Sequence, residues 1–313
     1  MDAGMSQTQT RGAQLWNRAS QSPGVLLVAC GSLLGLNFPL GRFAMEAGIS
    51  PFIWAITIAI GSAACLGGVI LARHIPVRLD AHHLRYFAVT AVVSYALPNL
   101  LVFALIPRLG SGFTAVFFTL SPMLTVALAH AAKLRSTGRL ERIGVAVGFA
   151  GAVLVASARG ETGRSVDWLW AAAGFLIPLS LATGNVYRTV DWPKNANPLW
   201  LAVGSNAFAA IFIFLLALFA DAIPTVSGLF SIPGVVCSQI AASACLFALF
   251  FRLQSIGGPV TLSQIGTVAA AVGALAGTWG FGERYPDIAW VGVAVIGVGI
   301  ALTIRARLAN SSQ

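Results

Sequence analysis

Charge is what this sequence has least of. Only 9% of its 313 residues are Asp, Glu, Lys or Arg, while 57% are hydrophobic and mean hydropathy is +0.83. Soluble domains carry about 25% charged residues, so a soluble fold of this composition would not cover its own surface. Lysine is nearly missing. Lys133 and Lys194 are the only two, and neither sits in a G-x-x-x-x-G-K-[ST] loop, which excludes that nucleotide-binding motif. Cysteine is scarce too: Cys30, Cys65, Cys237 and Cys245 lie inside apolar runs with no C-x-x-C pair, the pattern of small apolar filler. No acidic residue falls in the middle of an apolar run. A charge at a bilayer centre costs roughly 2.5–3.5 kcal/mol and is usually functional where it is kept. Its absence argues against a buried carboxylate proton relay.

What is present is a series of long apolar runs. A helix crosses the hydrocarbon core in about 20 apolar residues. Ten such runs are found, at 24–43, 51–72, 84–106, 112–132, 141–158, 168–188, 198–219, 231–251, 259–280 and 287–304. Short breaks between them hold nearly all the charges. With the N-terminus in the cytoplasm, fourteen of the 19 Lys and Arg residues fall on the inside and five outside. The positive-inside bias therefore places both termini in the cytoplasm, and the expected location is the plasma membrane, as in a bacterial inner membrane. Trp54, Trp168, Trp279 and Trp290 fall near the outer boundaries, as an aromatic belt would. The formal net charge of +9 is spread singly through these breaks, which suits lipid headgroups and not nucleic acid. Residues 1–22 read as a disordered polar tail and 305–313 as a second cytoplasmic tail.

The runs repeat. Shifted by 148 residues, Asn37 meets Asn185, Gly110 meets Gly258, Arg135 meets Glu283, Gly144 meets Gly292 and Gly151 meets Gly299. Two units of five spans follow, 23–158 and 166–304. Five is odd, so the second unit enters from the opposite side. The fold class expected is an all-α integral membrane protein of ten transmembrane helices in two inverted five-helix repeats, an architecture that places a solute site between the halves near the midplane. Glu283 and Arg284 stand where the first unit has Arg135, and the opposite insertion of the two units accounts for the change of sign.

At these residues the chain resembles the EamA family of the drug/metabolite transporter superfamily. Gly282–Glu283 to Gly292 matches a GE-x₈-G pattern, LGLNFPLGRFA (34–44) resembles that family's first helix, and LSPMLTVAL (120–128) its fourth. Leu34–Gly35 replaces the family's Trp-Gly, and Ala270 stands opposite Pro122. The resemblance implies export of amino acids, related small metabolites or drugs.

Uncharged polar residues inside spans are the candidates for lining a solute path: Asn37, Tyr95, Asn99, Asn185, Asn206, Gln239 and Gln264. Amides bind either end of a zwitterion, and they equally tie helices together. Tyr95 and Asn99 share a face at i, i+4, and Pro98 between them frees a backbone carbonyl. Gly144/Gly148 and Gly273/Gly277 read as close helix contacts within the bundle. Arg42 and Arg188, at helix ends, are expected to snorkel to headgroups. His74, His82 and His83 are expected to be solvated loop residues. No catalytic residues, cofactor or metal are expected. The partners expected are a small-molecule substrate and membrane lipid, no nucleic acid, and a second copy in a homodimer. A membrane-embedded enzyme and a non-transporting receptor or assembly factor are the alternatives.

Overall fold

The computed structural model describes residues 22–109, 111–134, 138–157, 168–220, 226–281 and 287–311. The polar tail up to residue 21, Gly110, Arg135, Glu283 and Arg284 lie outside the described residues, and so do the expectations that fall on them. Among the described residues, all regular structure is helical. The α-helices are α1 (Pro23–Glu46), α2 (Pro51–Ala72), α3 (Ala81–Thr90), α4 (Leu97–Leu109), α5 (Ser111–Phe118), α6 (Ser121–Ala131) and α7 (Arg139–Ser157). They continue as α8 (Trp168–Gly174), α9 (Leu176–Val190), α10 (Pro198–Phe219), α11 (Pro233–Ser263), α12 (Ile265–Phe281) and α13 (Asp287–Ser311). A π-helical segment, Ala91–Ala96, joins α3 to α4 into one rod. Five helical stretches among the described residues are long and apolar enough to cross a membrane: Pro23–Glu46, Pro51–Ala72, Ala81–Arg108, Pro198–Phe219 and Pro233–Ser263.

Local chemistry sets the helix starts. Ser50 caps α2 by accepting from the Ile53 N–H at 3.3 Å, and Asn197 caps α10 by accepting from Leu199 at 2.9 Å. Each is followed by a proline, which has no N–H to leave orphaned at the first turn. Asp80 caps α3, accepting from the His83 N–H at 2.9 Å.

Proline and glycine set the interruptions. The expected run 112–132 is two helices, parted at Thr119–Leu120 just before Pro122. The run 168–188 is also two, parted at Phe175, three residues before Pro178. The break expected between 251 and 259 is instead helical: α11 runs on until a kink at Gly258, with φ 70° and ψ 179°. Only glycine adopts that conformation readily, and Pro259 follows it without an N–H to continue the ladder.

Small residues then bring helices together. Gly144 and Gly151 of α7 face α13, and a Cβ on Gly151 would stand 2.7 Å from the Gly292 carbonyl oxygen. One on Gly144 would stand 2.8 Å from the Gly299 carbonyl oxygen. Gly35 of α1 lies as tightly against Val272 of α12. Without a hydrophobic force between helices in lipid, such backbone proximity supplies the packing. The Gly144/Gly148 pair accordingly packs inside the bundle.

Candidate functional site

The site is built where the rods are least regular. The π-helical turn Ala91–Ala96 ends one residue short of Pro98, which lacks the N–H that carbonyls of the turn would ordinarily accept. Ser180 of α9 donates to the Val93 carbonyl at 2.6 Å and satisfies one of them. Irregular backbone at this depth is tolerated where protein groups satisfy it, and π segments recur at functional positions.

Around this turn lies a cavity of about 90 Å³. A water occupies at least about 10–15 Å³ on that scale, so several waters or a small solute fit. Its walls come from α1, α2, the α3–α4 rod, α5, α6, α9, α11 and α12. Phe38, Phe103, Phe118, Phe247 and Phe250 supply aromatic faces, and Ser94, Ser121, Ser243 and Ser263 supply hydroxyls. Among the described residues, no Asp, Glu, Lys or Arg lines it.

Four of the seven residues singled out from the sequence line this cavity: Asn37, Tyr95, Asn99 and Asn185. Gln239 stands behind Asn37. Its Nε2 donates to the Asn37 Oδ1 and, at 2.7 Å, to Ser243 Oγ, which is itself on the wall. Gln264 lies between two lining residues, Ser263 and Ile265, is 3% exposed, and among the described residues neither of its amide atoms has a hydrogen-bond partner. Asn206 is elsewhere. It is buried in α10 and donates to the Ala202 carbonyl of its own helix at 2.9 Å. Tyr95 stacks edge-on against Phe247 with centroids 5.1 Å apart, and its buried hydroxyl has no partner among the described residues.

Two features differ from expectation. Arg188 does not snorkel: it is completely buried. It points inward because three groups hold it there. It donates to Ser94 Oγ and, at 2.7 Å, to Asn185 Oδ1, and it stacks 4.8 Å from the Phe250 ring. All three partners line the cavity. The signal for Arg188 was its position three residues after Asn185, which puts both on one helical face.

Two of the three histidines also differ from expectation, while His74 is exposed in the turn after α2. His83 is buried, and its Nδ1 lies 2.9 Å from Asp80 Oδ1. The His82 Nε2 lies 3.1 Å from Asp191 Oδ1, at the end of α9. Asp191 is the centre of a latch between the start of α3 and the end of α9. Arg85 Nη2 reaches its Oδ1 at 2.6 Å, and the Tyr187 hydroxyl donates to its Oδ2 at 2.5 Å. Burial alone would raise the Asp191 carboxyl, but the bonds from Tyr187 and Arg85 and the Arg85 charge outweigh it and hold the group below its usual range. The His83 backbone N–H, with the His83 ring, does the same for Asp80. Beneath the latch, Tyr86, Tyr187, Trp192 and Phe251 form an aromatic layer with ring centroids 6.0–6.2 Å apart.

Comparison with known proteins bears on this arrangement. Residues 22–157 match the EamA-like transporter family. No curated protein sequence matches the chain. A solved crystal structure shares the fold at a TM-score of 0.70 and 16% identity, over 91% of this chain and 97% of that one. With that family and its long apolar helices, the chain is a multi-pass membrane protein.

Proposed function

We propose that this chain, EamA-like over residues 22–157, is a secondary transporter that exports small metabolites such as amino acids or related compounds. The observation that carries the reading is the cavity. It is walled by helices from both expected five-span units and combines aromatic faces with uncharged amides and hydroxyls. Ten spans in two inverted repeats, 23–158 and 166–304, complete the proposal. In its favour, the Gly144–Gly299 approach maps under the 148-residue shift onto the approach of Gly292 to Gly151. A two-fold related pair of helices would make the same contact twice in this way. The halves rock about the cavity in alternating access. With both termini in the cytoplasm, the Asp191 latch and its aromatic layer close the cytoplasmic side.

The test is untargeted metabolite profiling of medium and cytosol from cells expressing the protein. A variant with Asn37→Ala and Asn185→Ala at equal abundance is the control. A metabolite that accumulates outside only with the intact protein names the substrate and fixes the direction as export. No difference in any pool counts against the exporter reading. Single cysteines at 95 and 264 in a Cys-free background test alternating access, which fails if aqueous thiol reagents reach them from neither side.

A further inference from the structure

We propose that Arg188 makes the cavity select solutes carrying a carboxylate, and that the substrates are small organic monocarboxylates with an apolar body. This rests on the transport reading above and narrows its substrate class.

Among the described residues, no carboxylate pairs with Arg188. Asp191, three residues on, is engaged by Arg85, Tyr187 and His82. The guanidinium is wholly buried and its Nε has no partner among the described residues. A buried cation is costly unless it is paired. The carbonyl end of α9 supplies at most about half a compensating charge, and the Phe250 face supplies a further weak attraction. Positive charge is left over behind the cavity wall, and among the described lining residues none is ionised to oppose it.

The hydrogen-bond directions matter as much as the charge. Ser94 accepts from Arg188 with its oxygen, so its own O–H is left to donate. Asn185 accepts with Oδ1, so its remaining polarity is the donating Nδ2, which makes only a long 3.4 Å contact to Thr125. Arg188 thereby turns two lining residues into donors and polarises both. A wall of donors backed by a cation in a low-dielectric site favours an acceptor with negative charge. The Phe faces opposite suit an apolar body. Among the described residues, no carboxylate lines the cavity to meet an ammonium group.

The test uses three probes that share one phenyl ring and differ in head group: phenylacetate, phenylacetamide and phenethylamine. Binding to the purified full chain is measured alongside flux into proteoliposomes. Phenylacetate is expected to bind at least about tenfold more tightly than phenylacetamide, and phenethylamine least. Asn185→Asp keeps the shape of the wall and pairs Arg188 in place, so it is expected to bring the preference within about twofold. Arg188→Lys keeps the charge and is expected to retain a preference for the anion. Equal or tighter binding of the amide or the amine by the intact chain overturns the inference. So does an unchanged preference in Asn185→Asp, or no binding of any probe. Flux of the amide or amine without anion preference overturns this inference and leaves the transporter standing. The metabolite profiling described above decides the transporter reading separately.

Discussion

The Asp191 latch gives the most quantitative prediction. Tyr187→Phe deletes one hydroxyl and keeps the ring that packs against Tyr86. That hydroxyl donates to Asp191 Oδ2 at 2.5 Å. A hydrogen bond to a charged group contributes about 1.5–3 kcal/mol. Tyr187 is half-buried, so the lower end applies, about 1.5 kcal/mol, and the exposed Arg85 pair is given no share of it. If the latch holds the cavity closed on that side, this corresponds to about a tenfold gain in the open population. The assay is the labelling rate of Ser263→Cys, a cavity-lining position, in a Cys-free background, with 4,4′-dithiodipyridine added from the side of Asp191. Tyr187→Phe is expected to label about tenfold faster than the parent at neutral pH, and Asp191→Asn at least as fast.

The pH dependence follows from the depressed carboxyl. A group whose pKa is lowered on folding contributes stability that is full above its unfolded value, near 4 for Asp, and is lost as pH falls through the folded value. Parent labelling is therefore slow at neutral pH and rises only in acid. Tyr187 is one of the groups that lower the Asp191 pKa, so Tyr187→Phe is expected to start that rise at higher pH. Equal labelling rates in parent and Tyr187→Phe at every pH would refute the latch.

Two further predictions concern the backbone. Gly258→Ala forces a Cβ onto a residue with φ 70° and ψ 179°; a cost of about 1–3 kcal/mol is expected, read as a lower thermal unfolding midpoint in detergent, and an unchanged midpoint would show that α11 straightens without penalty. Gly151→Ala puts a methyl 2.7 Å from the Gly292 carbonyl oxygen; overpacking of this kind costs about 1–3 kcal/mol, and loss of folded protein relative to Gly148→Ala, where the nearest atom is 3.5 Å away, is the check.

Sequence reasoning reached what a one-dimensional pattern encodes. Apolar run length gave a helical membrane protein, because lipid demands a fixed number of apolar residues per crossing. It also singled out seven polar residues, since a polar group inside an apolar run is rare enough to notice; Asn37, Tyr95, Asn99 and Asn185 line the cavity, whereas Asn206 lies elsewhere, bonded to its own helix. What escaped it depends on direction and on distant contacts. Arg188 is near a helix end, where a long side chain can turn outward to headgroups or inward to protein, and distance from the end does not choose between them. His82 and Asp191 are 109 residues apart, and no periodicity brings them together. The break expected between 251 and 259 is a kink at Gly258 in a continuing helix, and a kink and a loop look alike in sequence.

The α7–α13 contact also sets an order of events during synthesis. Gly144 and Gly151 belong to α7, but the surface they are cut to fit belongs to α13, which leaves the ribosome well over a hundred residues later. Until residue 303 is made, α7 has no partner for its smallest face, and the first half waits in the membrane with that groove open to lipid. A nascent chain that stops before α13 thus carries a defect that a membrane protease or chaperone can read as incompleteness.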